Sequence, residues 1–207
     1  CVSLFREFAG AIGKDIDDDT LYGTLYRKAM EGDADCGGLL AYNYFSGESI
    51  TGFNEGRPLF VRRPDDKFNL SNFMRTHLYT ALGALKAGND ILMKEENVKA
   101  DFFFGQGGFF KVRGVGDRVM AAALNTPIKL METAGEGGPW GQAILAGFMM
   151  QKTEGETLEK YLSDKVFASG KVETCEPDKE DVAGFDEFMK DYNAGLAIER
   201  AAVDSLK

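Results

Sequence analysis

The sequence predicts an α/β domain, and three observations carry that reading. The middle of the chain twice repeats an apolar strand, a glycine-rich turn and a helix. These are residues 101–104, 105–108 and 115–124, then residues 128–131, 135–138 and 140–150. Sixteen Phe and seven Tyr supply the apolar area a packed core needs, which excludes a disordered chain. The length of 207 residues suits one domain or one large lobe of a two-lobed protein.

The elements follow in order. Val2, Leu4, Phe5 and Phe8 mark a short amphipathic helix over residues 2–12. Asp17, Asp18 or Asp19 caps the next helix, which carries Leu21, Leu25, Tyr26 and Ala29 at helical spacing and breaks at Gly32-Asp33. The apolar run from Gly37 to Phe45 reads as a buried strand turning at Ser46-Gly47. Residues 47–57 read as a loop, residues 59–62 as a second strand, and Pro64-Asp65-Asp66 as a turn. A long helix follows, capped by Ser71 and running to about Lys94. Its expected buried face is Phe73, Met74, His77, Leu78, Ala81, Leu82 and Leu85. After the two strand–turn–helix units, the tail from Thr157 onward reads as mostly helical and charged. Its last helix starts in residues 176–181 and carries a stripe of Phe185, Phe188, Tyr192 and Leu196.

Composition removes several function classes. A net charge of −9 repels a phosphate backbone and an anionic membrane surface, so neither nucleic acid nor membrane is an expected partner. No apolar run approaches the ~20 residues that span a bilayer. The three cysteines, Cys1, Cys36 and Cys175, form no CxxC pair, which fits a reduced, cytoplasmic protein. With His77 the sole histidine, no metal site is expected. The chain starts in a helical pattern without an initiator Met or a signal peptide, so the expectation is a fragment of something longer.

Chemistry concentrates in two turns. Gly105-Gln106-Gly107-Gly108 closes the Phe102–Phe104 strand, and glycine there lets backbone amides approach an anion without Cβ interference. Lys111 lies just beyond and is placed to meet a phosphate. The second turn runs from Glu132 to Gly141 and opens a helix whose amides could face a nucleotide. The plainer reading of each is an ordinary tight turn, with Trp140 of the second as core. Neither matches GxxxxGK[ST] or a dinucleotide fingerprint. Gly47-Glu48 with Arg57 is a third candidate, with a surface loop and local ion pair as its plainer reading. Asp65-Asp66 and Glu95-Glu96 read as solvated charges, and no GxSxG nucleophile occurs.

In order, several stretches resemble one family. Gly38-Leu39-Leu40 through Tyr44-Phe45-Ser46-Gly47-Glu48 is similar to the "GL…PYLxGER" segment of FGGY carbohydrate kinases. Residues 68–85, with Arg75, His77, Leu78 and Ala81, resemble the family's central helix. Residues 102–108 resemble the strand entering its adenosine-binding turn, and residues 136–147 its "E…LGAA…A" segment. The tail EPDKEDVAGFDEFMKDY is similar to those of pentulose kinases. Departures occur at Gly107-Gly108-Phe109-Phe110, in residues 111–116, at Gly83-Ala84-Leu85, and at Trp140 and Gln142.

The resemblance implies a ribonuclease-H-like domain of the actin-like ATPase fold, with a mixed sheet flanked by helices. Residues 1–207 would be the C-terminal nucleotide-binding domain, and an N-terminal domain would supply the sugar site, the catalytic aspartate and a Gly-Thr phosphate turn. The implied reaction moves the γ-phosphoryl of MgATP to a sugar, a ketopentose such as xylulose or ribulose. The implied ligands are ATP or ADP with Mg2+, held by Gly105, Gly107, Gly108, Lys111, Gly137 and Gly138, with no catalytic residue in this chain and no kinase activity from it alone. A homodimer is a further expectation. A noncatalytic nucleotide-sensing module on the same architecture, or an unrelated α/β domain, stand as alternatives.

Overall fold

A computed structural model describes residues 2–168 and 170–206. Helix α1 (Val2–Ala11) lies against the rest through Phe5, whose ring meets Phe73 edge-on at 6.3 Å. Helix α2 (Asp18–Ala29) is capped by Asp17, whose carboxylate accepts from the Thr20 N–H at 2.9 Å. Asp18 and Asp19 in its first turn and Arg27 and Lys28 in its last suit the helix dipole. Leu21, Leu25 and Ala29 form its buried stripe.

The apolar run after Gly37 is only partly a strand. Cys36, Gly37 and Gly38 all have positive φ and form a single 3-10 turn, which confines β1 to Leu40–Tyr42. A Cβ on Gly37 would lie 2.2 Å from Asn72 Nδ2, so this turn sits too close to its neighbour for any side chain. Strand β1 pairs antiparallel with β2 (Leu59–Val61), Leu40 opposite Val61.

Helix α3 (Leu70–Asp90) continues into a π turn over Ile91–Glu95. Its cap is Asn69 rather than Ser71. Asn69 has the extended backbone a cap requires, and its Oδ1 accepts from the Asn72 N–H at 2.9 Å. The buried face also differs from the expected one. Phe73 and His77 are half-buried, and Ala81 and Leu85 are exposed. Met74, Leu78 and Leu82 are buried as expected, and Asn72, Arg75, Thr76, Tyr79 and Thr80 join them. Asn72, Arg75 and Thr80 are satisfied by partners distant in sequence, Thr76 and Tyr79 by residues one turn away. Asn72 Oδ1 accepts from Asp33 N–H, and Thr80 Oγ1 donates to the Ala41 carbonyl.

Strand β3 (Phe103–Gly105) runs parallel to β4 (Ile128–Met131), with α4 (Gly116–Leu124) between them in sequence. Asn125 closes α4 in the left-handed conformation. Helix α5 (Gly137–Gln151), the short α6 (Leu158–Tyr161) and its π-turn extension Leu162–Val166 follow. The mostly helical tail also holds a strand that the sequence reading did not place. Residues Val172–Cys175 form β5, antiparallel to β4, so β4 is the centre of a three-stranded mixed sheet. Helix α7 (Lys179–Ser205) starts at Asp178, which accepts from the N–H groups of Glu180 and Asp181.

Two apolar clusters share α4. Val119, Ala122 and Ala123 face the larger one, with Leu25, Met74, Leu78, Tyr79, Phe185, Phe188 and Tyr192. Ala121 and Leu124 face the smaller one, with Phe110, Ile128, Leu130 and Ala134. A charge network ties the larger cluster together. Arg75, 2% exposed, donates to Asp181 at 2.5 Å, to the Tyr79 hydroxyl at 2.9 Å and to the Gly32 carbonyl at 3.0 Å. Arg118 of α4 closes on the other oxygen of Asp181. Among the described residues, no helix is long and apolar enough to cross a membrane. Cys36 and Cys175 are free thiols, and Cys1 lies outside the described residues.

Candidate functional site

The smaller cluster ends at the surface in two turns, and these meet. After β3 the chain passes Gly107 at φ 105° and ψ −179°, a backbone conformation reserved for glycine, and enters a 3-10 turn over Gly108–Phe110. After β4 it makes a second 3-10 turn, Ala134–Glu136, that leads into α5. The Gly107 N–H donates to the Ala134 carbonyl at 2.6 Å and joins the two turns. Gly137 packs so closely on Gln106 that a Cβ there would stand 2.6 Å from its Oε1. Phe110 and Ala134, both buried, anchor the turns in the core beneath.

Helix α2 faces the joined turns across a cleft of about 900 Å³. Asp18, Asp19, Tyr22, Gly23, Tyr26 and Arg27 form its wall. Gly108, Lys111, Arg113, Gly135 and Glu136 are among the residues opposite. Tyr22 and Tyr26, one turn apart, meet edge-to-face at 6.0 Å. The volume falls within the ~300–1,000 Å³ of small-molecule and cofactor sites.

Charges of both signs line this space. Lys111 Nζ lies 2.7 Å from Glu136 Oε1, and this hydrogen bond raises the lysine's pKa above its ordinary value. Arg113 spans from Glu173 at 3.3 Å to the Met131 carbonyl at 2.8 Å. Asp18 pairs with Arg6. No residue of α5 supplies a side-chain cap to its own first turn, so the amides at its N-terminus have no side-chain cap at the edge of this region.

The residues singled out from sequence do not all reach the cleft. Gly108 and Lys111 line it. Gly107 holds the opposite turn, and Gly137 packs on Gln106. Gly105 is a packing residue: a Cβ there would meet Leu130 Cδ2 at 2.5 Å and Phe110 Cε1 at 2.7 Å. Gly138 sits in the first turn of α5 with open space around it. The third candidate lies elsewhere. Glu48 caps a 3-10 turn through the Ile50 N–H, and Arg57 pairs with Glu55 while its N–H donates to Glu199. Asp66 is no solvated charge, since Arg63 holds it with both its backbone N–H and its guanidinium. His77 is a packed residue between the rings of Phe60 and Phe73, and burial lowers its pKa to about 4. The α2 wall went unread in the sequence. Its one available signal was Gly23, a glycine in the middle of an otherwise regular helical pattern.

The chain matches the model of the FGGY family of carbohydrate kinases, C-terminal domain, over residues 4–150. No curated protein matches it. Similar solved structures include the ligand-bound xylulose kinase from Lactobacillus acidophilus, at 18% identity and TM-score 0.63, covering 87% of this chain and 34% of that one. The gluconate kinase from Lactobacillus acidophilus gives 18% identity and TM-score 0.65, covering 92% of this chain and 36% of that one. The Plasmodium falciparum glycerol kinase with ADP gives 20% and 0.56, covering 89% and 34%. The chain thus spans about a third of the length of these structures. At such identities the likeness is one of fold, a mixed sheet flanked by helices as in the actin-like ATPases.

Proposed function

This chain belongs to the FGGY family of carbohydrate kinases, and from that premise we propose that residues 1–207 form a lobe that binds ATP or ADP in the cleft between α2 and the two glycine turns. One observation carries the reading. The turns after β3 and β4 are hydrogen-bonded to each other and open on one cleft of nucleotide size. Gly108 fits such a ligand because no atom lies within 4 Å of where its Cβ would be, which leaves the backbone open to a base or ribose. The uncapped amides of α5 suit partial negative charge nearby. In the whole enzyme this lobe would serve transfer of the γ-phosphoryl of MgATP to a sugar hydroxyl, with a ketopentose such as xylulose or ribulose as the acceptor. Phosphoryl transfer depends on positioning and charge neutralisation, and half a cleft cannot supply both. The 207 residues alone are therefore expected to bind nucleotide without turning over a ketopentose. No residue of this chain is assigned to Mg2+, which would arrive on the phosphates. We place the protein in the cytoplasm on its free thiols and leave a homodimer as an expectation tested by sedimentation.

Calorimetric titration with ATP and ADP tests the reading. Gly108→Val is expected to weaken binding at least ~10-fold by filling the space beside the turn, with the melting temperature little changed. Unchanged affinity would remove Gly108 from the site. Absence of any nucleotide binding to the wild-type chain would remove the reading itself.

A further inference from the structure

Gly23 stands in the middle of the twelve-residue α2, on the helix that walls the cleft. Glycine weakens a helix interior relative to alanine, so its presence asks for a reason. Space supplies one. The three atoms nearest to a Cβ at this position all belong to one guanidinium, Arg27 Nη2 at 2.9 Å, Nη1 at 3.2 Å and Cζ at 3.4 Å. The missing side chain makes a notch one turn before Arg27, and the guanidinium lies back into it along the cleft wall.

The cleft's other cations are already engaged. Lys111 is held by Glu136, and Arg113 by Glu173 and by the Met131 and Glu132 carbonyls. Arg27 pairs with no carboxylate among the described residues. Its planar fork is suited to two oxygens of one phosphate, a geometry an ammonium group lacks. Asp19, Glu132 and Glu136 line the same space, so an anion entering it needs an uncommitted positive group.

We infer that Arg27, seated by Gly23, is the residue of this cleft that holds a phosphate group of the bound ligand. That the phosphate is a nucleotide's rests on the function proposed above; a sugar phosphate offers the same chemistry. Lys111, named from sequence for this role, instead bridges the two turns through Glu136.

Calorimetry on the full chain with adenosine, ADP and ribose 5-phosphate separates these. Arg27→Ala is expected to weaken ADP about tenfold or more while leaving adenosine unchanged, as loss of a charge-assisted contact implies. Arg27→Lys should recover part of the loss. Gly23→Ala should raise the melting temperature yet weaken ADP, a combination that a purely structural glycine would not give. If Arg27→Ala binds ADP as the wild type does, with adenosine binding intact, the inference is overturned and the nucleotide reading survives. Arg27-dependent binding of ribose 5-phosphate without adenosine binding supports the phosphate seat and removes the nucleotide reading. Binding of none of the three by the wild-type chain overturns both.

Discussion

Helices α5 and α7 make an instructive pair. Helix α5 reads GGPWGQAILAGFMMQ, without a charged residue, yet none of its residues is buried. Helix α7 is studded with acids and lysines, yet it buries Phe185, Phe188, Tyr192, Asp181 and Glu199 among others. Apolar composition does not decide burial in this molecule; partners do. Asp181 is buried because Arg75 and Arg118 converge on it, and Tyr192 because the Tyr44 hydroxyl meets its own at 2.6 Å. Helix α5 has no charge partner among the described residues, and the short α6 with its extension touches it at Trp140–Phe167 and Phe148–Tyr161, which leaves it half-covered at most.

The sharpest way to break this comparison is Asp181→Ala. It leaves Arg75 uncompensated in the interior and is expected to cost about 3–5 kcal/mol in chemical denaturation. A loss below ~1 kcal/mol would show that the network is ornamental. Next comes Gly184→Ala on α7. Its methyl would fall 2.2 Å from the Ala34 carbonyl oxygen, a backbone atom with no room to yield. The expected loss is about 1–3 kcal/mol, read as a fall in denaturation midpoint.

His77 sharpens the comparison through pH. Burial lowers its pKa to about 4 from an ordinary 6.5, so the unfolded chain binds the extra proton between those values. Stability is therefore full above pH 6.5 and falls as the pH drops toward 4. For a half-buried group the share is about 1–2 kcal/mol once solvent screening is allowed for. His77→Phe, among Phe60 and Phe73, should flatten that slope, and an unchanged slope would assign it to other groups. The smallest effect has the opposite sign. Gly141→Ala on α5 meets nothing within 4 Å and should stabilise by about 0.5–1 kcal/mol.

Much of this architecture was legible in the sequence. Helices α1, α2 and α4, strand β4 and the start of α7 followed from spacing and caps. Strand β5 did not, because Val-Glu-Thr-Cys at a sheet edge is largely exposed and shows no apolar alternation. The polar part of the buried face of α3 was missed for a different reason, although Met74, Leu78 and Leu82 are buried as expected. Arg75, Thr76 and Thr80 are polar, and only contacts with Asp181, Asn72 and Ala41 make their burial tolerable. Two of those three partners lie 39 and 106 residues away, beyond any local pattern. For the candidate site, the glycine turns were legible because glycine marks strand ends. The α2 wall was not, since Tyr22 and Arg27 read as ordinary helical residues until the fold brings them opposite Gly108.

The bond from the Tyr42 hydroxyl to the Tyr192 carbonyl spans 150 residues, and that from the Arg57 N–H to Glu199 spans 142. During synthesis at ~5–20 residues per second, β1 must wait roughly 8–30 seconds for the helix that covers Tyr42. Over that interval the nascent chain carries a sticky, half-made centre that a chaperone could recognise. Ribosome-stalled chains ending before residue 181 should accordingly be more readily digested by protease than chains stalled far beyond α7.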